Sequence, residues 1–232
     1  MGAFMSALLF DLKPAITLPV IGEAAQFPIN RIFCVGRNYA AHAAEMGGVV
    51  DKQTPFYFTV TPINACLGGT VAFASATADY HHEIEFVVAL GSGGRNIAKQ
   101  AALDCVYGYG VGLDMTRRDL QNLAKDKRRP WDLSKDVEAS AIFSSLTKAQ
   151  AFGAVEAQAI TLSKNDEIVQ SSDLSLMVHS IPDLIAHLSQ FYELTAGDII
   201  MTGTPEGVGS VQRGDRLVGQ VTGAPTLEVT FI

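Results

Sequence analysis

The chain has 232 residues, 48% of them hydrophobic and 18% charged, a balance that supports a buried core and excludes intrinsic disorder. Its net charge of −7 excludes the basic face of a general nucleic-acid binder, so no nucleic-acid partner is expected. The three cysteines, Cys34, Cys66 and Cys105, are odd in number, widely spaced and set in apolar sequence, which predicts reduced core thiols in a cytoplasmic setting and no structural zinc.

The apolar start, Met1–Phe10, lacks the basic region and cleavage site of a signal peptide. Gly2 with Ser6 fits a myristoylation pattern, but no second membrane signal follows and no apolar run reaches the length of a span, so no membrane partner is expected. Residues 15–21 and 27–29 flank the turn-like Gly22-Glu23 and predict a hairpin, in an N-terminal extension over about residues 1–30 packed on a single catalytic domain. Arg31–Val35 reads as a strand ending at Gly36. Residues 40–46 carry strong helix formers, with Asn38 as the expected cap and Gly47-Gly48 as the stop.

Pro55–Val60 predicts a buried strand broken at Pro62, and residues 70–74 a short one after the turn at Gly68-Gly69. Residues 81–90 form an apolar strand that opens on His81-His82-Glu83-Ile84-Glu85. The glycine cluster Gly91–Gly94 lacks the lysine and the strand–loop–helix setting of a phosphate loop. Residues 98–104 suggest a short helix, and Val106–Asp114 a strand with Gly108, Gly110, Gly112 and Asp114 on one face. Thr116–Asp119 predicts a capping box for a charged helix over 117–127, leaving Asp114 free for another task. The run Lys125–Arg129 reads as solvated surface. Strands follow over 140–175 with a hairpin tip at 164–167. A capped helix over 182–193 buries Leu184, Ile185, Leu188 and Phe191 on one face, with His187 as a structural residue. A strand at 197–201 enters the glycine-rich turn Thr202–Gly209, whose amides and threonine hydroxyl suit an anionic ligand, and two short strands close the chain.

Two features carry chemistry. Glu83 and Glu85 alternate onto one face of their strand, and Asp114 ends the glycine face of another. Three hard oxygen ligands select Mg2+ or Mn2+ over zinc and leave about three octahedral positions for water or substrate. A nearby cation such as Lys135 offsets the surplus negative charge and admits an anionic substrate. His42 and Glu45, three apart on a helix, can form a carboxylate-oriented imidazole base.

The order of motifs resembles the fumarylacetoacetate hydrolase family from about residue 30 onward. The motifs are Gly36-Arg37-Asn38-Tyr39 with His42 and Glu45, His81–Glu85, Leu113–Asp119 with Gln121, then Lys135 and Thr202–Gly209. Residues 39–46 and Ser172-Asp173-Leu174-Ser175 resemble more closely its small acylpyruvate hydrolases, the fumarylpyruvate hydrolases of gentisate breakdown among them. The resemblance implies an α+β, β-rich mixed β-sandwich roll, a homodimer, and one Mg2+ or Mn2+ held by Glu83, Glu85 and Asp114. It implies that His42 and Glu45 form a lid dyad that activates water. Gln121, Lys135 and Thr204 match substrate- or oxyanion-contacting positions, and Arg118 matches a further position of the substrate site. The implied activity is hydrolysis of a C–C bond in a small anionic 2,4-diketo acid, giving fumarate and pyruvate in the favoured case. Oxaloacetate decarboxylation or keto–enol isomerisation on the same metal, and weak keto-acid binding without turnover, are the alternatives. Two stretches depart from the family pattern. Phe58-Thr59-Val60-Thr61-Pro62 stands where Phe-x-Lys-Pro is usual, and Asp136-Val137-Glu138 where Ser-Phe-Asp follows the lysine.

Overall fold

The computed structural model describes residues 9–11 and 13–232. The signal-peptide and myristoylation readings fall mainly on residues 1–8, outside the described residues, as does part of the proposed N-terminal extension.

In chain order the strands and helices are β1 (Thr17–Leu18), β2 (Phe27–Pro28), β3 (Arg31–Gly36), α1 (Ala40–Glu45), β4 (Phe56–Val60), β5 (Ala65–Leu67), β6 (Gly69–Val71), β7 (Tyr80–His82) and β8 (Ile84–Leu90). There follow β9 (Val106–Asp114), β10 (Thr116–Arg117), α2 (Arg118–Asp126), α3 (Asp132–Lys135), β11 (Ala141–Phe143), β12 (Thr147–Lys148) and α4 (Ala149–Phe152). The chain ends with β13 (Ala159–Lys164), β14 (Glu167–Asp173), α5 (Ile181–Phe191), β15 (Asp198–Met201), β16 (Gly209–Ser210), β17 (Arg216–Val221) and β18 (Leu227–Phe231).

A central sheet runs β4-β3-β15-β8-β9-β11-β5, with β12 added beside β9, and a second runs β14-β13-β17-β18-β6. The pairs β3–β15, β5–β11 and β6–β18 are parallel and the other pairs in these two sheets antiparallel, so the roll is mixed, as the resemblance implies. Every residue of β8 is buried, because both faces of its sheet are covered. Ile84, Phe86 and Val88 face the second sheet and pack with Leu162, Leu217 and Phe231. Val87 and Ala89 face the other way, onto Leu18, Phe27 and Ile32 under the β1–β2 hairpin. Each of the larger side chains contributes roughly 1.5–3 kcal/mol by leaving water, and Ala89 less. The glycine face of β9 lets strands approach rather than a ligand: a Cβ at Gly108 would lie 2.5 Å from the Thr147 carbonyl oxygen.

Several expectations change. The single strand over 81–90 is two, because the chain leaves the small β10-β7-β16 sheet at Glu83 and enters the central one at Ile84. Residues 99–105 form a 3-10 helix. Phe191, placed on the buried face of α5, is 62% exposed, because it ends the helix beyond the core. Asn38 does not cap α1; fully buried, its amide donates to the His179 and Thr202 carbonyls and its oxygen accepts the His179 N–H. Thr116 does not cap α2 either. Its hydroxyl turns back to the Asp114 carbonyl, while the Asp119 carboxylate accepts from Thr77 Oγ1 and the Ala78 N–H. The Ser180 cap of α5 and the Asn165-Asp166 turn are present as expected, the latter with both residues at positive φ.

Candidate active site

The antiparallel register of β8 and β9 sets Glu85 opposite Gly112, and the Asp114 N–H donates to the Glu83 carbonyl at 2.9 Å. Backbone pairing alone therefore gathers three carboxylates. Glu83, Glu85 and Asp114 are buried, and one oxygen from each lies within 4.8 Å of the others. Lys135, at the end of α3, places Nζ 2.7 Å from both Glu83 Oε2 and Asp114 Oδ2, and Arg118, at the start of α2, pairs with the other Glu83 oxygen. The third carboxylate, Glu85, accepts the Gly203 N–H, at 2.7 Å, and no other hydrogen bond among the described residues.

The electrostatics are uneven. Burial works against ionisation of Glu83, yet Lys135 and Arg118 together outweigh it and hold its carboxyl below the usual range. Burial, and then the Asp114 charge, push Glu85 well above that range. Asp114 is pushed up to about 6, chiefly by burial and against the pull of Lys135. Asp114 Oδ1 is buried with no hydrogen-bond partner among the described residues. An orphaned carboxylate oxygen beside two more carboxylates in a dry site is what a hard divalent cation would satisfy, so these residues fit Mg2+ or Mn2+.

The other expected residues converge on the same cavity. His42 on α1 is buried and opens onto it, with Nδ1 3.4 Å from Glu45 Oε2. Burial lowers the His42 pKa, opposed by Glu83 and Glu45. Glu45 also accepts the Gly207 N–H at 3.2 Å, which latches α1 to the Thr202–Gly209 turn. That turn was expected to offer its amides to a ligand; those of Gly203 and Gly207 instead serve Glu85 and Glu45. Thr204 lines the cavity, and Gln121 accepts from Arg118 Nη1 at 2.6 Å. The cavity is small, about 30 Å³, and shares Phe56, Phe58, Trp131 and Lys135 with a second hollow of about 370 Å³.

Several residues of the site carry no signal in the sequence. Gln170 is buried, and its oxygen accepts from His82 Nδ1 and the Ile84 N–H while its amide donates to Thr204 Oγ1. It thereby fixes the turn to the start of β8; only its place on a β-strand was visible beforehand. Arg37, Phe56, Phe58, Lys125 and Trp131 also line the cavity. Unlike the solvated run its sequence predicts, Lys125 is half-buried, with Nζ 5.2 Å from the Trp131 ring centre. The two departures from the family pattern meet each other: the Asp136 carboxylate accepts from the Thr61 N–H, Thr61 Oγ1 and Asn64 Nδ2 at 2.6–2.8 Å.

Residues 31–232 match the fumarylacetoacetate hydrolase C-terminal family. A fumarylpyruvate hydrolase of Ralstonia sp is 44% identical over 188 residues, 80% of this chain and 97% of that protein. An oxaloacetate tautomerase of Escherichia coli (strain K12) is 36% identical over 84% of this chain and 90% of that protein. The crystal structure of fumarylpyruvate hydrolase from Pseudomonas aeruginosa in complex with Mn2+ and pyruvate superposes with a TM-score of 0.94 at 40% identity, covering 97% of this chain and 99% of that one.

Proposed function

Since the chain belongs to the fumarylacetoacetate hydrolase family, we propose that it hydrolyses an acylpyruvate, fumarylpyruvate in the favoured case, to a carboxylic acid and pyruvate. It is a divalent-metal enzyme acting on C–C bonds of ketonic substrates, with a small keto acid as its ligand. The observation that carries the reading is the buried Glu83–Glu85–Asp114 cluster, with its orphaned Asp114 oxygen, in one cavity with the His42–Glu45 pair. The Mn2+ and pyruvate of the Pseudomonas aeruginosa enzyme support the same assignment.

In this reading Glu83, Glu85 and Asp114 hold the cation, which when bound supplies Lewis-acid stabilisation to the keto-acid end and its developing enolate charge. His42 stays neutral because it is buried, so its imidazole is ready to take a proton from the attacking water. Glu45 orients the ring and, through Gly207, keeps α1 over the site. Water gives a proton to His42 and its oxygen bonds to the distal 4-keto carbon; the C3–C4 bond then breaks, its electron pair leaving on C3 as the pyruvate enolate, and the proton returns to C3 to give pyruvate beside the carboxylic acid. Thr204, held by Gln170, and Gln121, held by Arg118, are the polar groups placed to meet the charge that develops at the 4-keto carbon. Lys135 and Arg118 offset the carboxylates so that an anion can enter.

The finer expectations rest on the resemblance: one catalytic domain spanning the chain, acting as a cytoplasmic homodimer in gentisate-type aromatic catabolism. The three thiols are free, which suits a reducing compartment. The deciding experiment incubates the protein and Mg2+ or Mn2+ with fumarylpyruvate and, separately, oxaloacetate. Fumarate and pyruvate in equal amounts support the proposal. Oxaloacetate tautomerisation or decarboxylation with no acylpyruvate cleavage rejects it.

A further inference from the structure

We infer that Lys125 and Arg37 form a subsite for a second carboxylate, making the enzyme selective for acylpyruvates whose acyl arm ends in an anionic group. The inference rests on the hydrolase reading above and adds to it the source of substrate choice.

The cavity wall carries four cationic side chains, Arg37, Arg118, Lys125 and Lys135, against three carboxylates. Arg118 and Lys135 are engaged by Glu83 and Asp114. Arg37 and Lys125 form no ion pair or side-chain hydrogen bond among the described residues, although both are half-buried. With a divalent cation on the triad, one keto-acid carboxylate leaves this wall short of negative charge.

The placement of the two cations is costly. Arg37 sits at φ 58°, in the left-handed region, on the turn between β3 and α1, and its guanidinium packs beside Gly48. A non-glycine residue there costs on the order of 1 kcal/mol, and such strain gathers at ligand clamps. Lys125 leaves α2 to lie against Trp131, which also lines the second hollow. Burial first, then Arg118 and Arg37, push the Lys125 pKa down to about 8. These cations crowd one another without a counter-charge, whereas a surface lysine would swing into water. A carboxylate between them would supply it, next to the aromatic wall of Phe56, Phe58 and Trp131 that an unsaturated acyl arm would follow.

Two measurements test this on the Mg2+-loaded protein. The first compares fumarylpyruvate with acetylpyruvate, which lacks the distal carboxylate. Lys125→Gln should lower the ratio of the two kcat/KM values about tenfold or more, mainly through KM for fumarylpyruvate, because one charge-assisted hydrogen bond is lost. Lys125→Arg should restore most of the ratio. Equal loss on both substrates, or a fall in the ratio caused instead by Arg129→Gln in the second hollow, overturns the subsite. The second measurement follows the fluorescence of Trp131, the single tryptophan, on titration with fumarate and with crotonate, a monocarboxylate of the same length. Tighter binding of fumarate that disappears in Lys125→Gln supports the subsite, and equal binding of the two acids by the wild type rejects it. If the wild type cleaves neither acylpyruvate, the hydrolase reading fails and the titration still decides the subsite.

Discussion

His42 is where one side chain separates binding from chemistry. It opens onto the cavity but is not part of the carboxylate cluster. His42→Ala should therefore lower kcat by about 10²–10⁴-fold, the span of a lost general base, while Mn2+ affinity measured by calorimetry stays within a few-fold. Loss of both together would reject the division of labour. The pH profile gives an independent check. Burial lowers the His42 pKa from 6.5, and a lower pKa keeps the imidazole unprotonated, and so able to accept a proton, to a lower pH. The acid limb of kcat/KM is then expected below pH 6.5, and a limb centred above that value would contradict the assignment. His42 and Glu45 could be paired from their spacing alone. The latch from Glu45 to Gly207 could not, because it joins residues far apart in sequence.

At the scale of elements, α3 is a single turn, too short to hold Lys135 in place by its own hydrogen bonds. Asp136, just past its end, anchors it through the three bonds from Thr61 and Asn64, and Ser140 Oγ donates to the Lys135 carbonyl at 2.6 Å. Asp136→Ala removes those three hydrogen bonds, two of them open to solvent, and should cost roughly 0.5–1.5 kcal/mol in urea unfolding. It should also reduce kcat, as Lys135 drifts from Glu83 and Asp114. Asp136→Asn keeps one acceptor and should lose less; an Ala variant with unaltered stability and rate would remove Asp136 from this role. In the sequence, the Val60 and Asp136 stretches appear as two unrelated departures from a family pattern. In the fold they compensate: Val60 joins the core under the β1–β2 hairpin, and Asp136 turns to the threonine that follows it. Strand alternation revealed which residues of β8 and β9 share a face. It could not reveal that Thr116 and Asn38 would abandon helix ends for buried carbonyls, since capping signals are local and those partners are not.

At the scale of the molecule, the sheets that bury β8 on both faces also bury three carboxylates. The fold tolerates this because Lys135 and Arg118 neutralise part of the charge, but Glu85 has neither for a partner. Its raised pKa means that at neutral pH the metal-free protein must either keep a proton on Glu85 or leave it buried as an unpaired charge. Both states cost stability relative to the unfolded chain. A bound divalent cation reverses that penalty and adds stability by mass action, about 2.7 kcal/mol at a hundredfold excess over Kd. Glu85→Gln keeps an oxygen for the Gly203 N–H and removes the charge. We therefore expect this variant to be more stable than the wild type in the presence of a chelator, by on the order of 1 kcal/mol, and to gain little when Mn2+ is added. Thermal unfolding of both proteins with chelator and with Mn2+ checks this. A Glu85→Gln protein that is less stable without metal, or that gains as much from Mn2+ as the wild type, would show that the cluster does not trade stability for the cation.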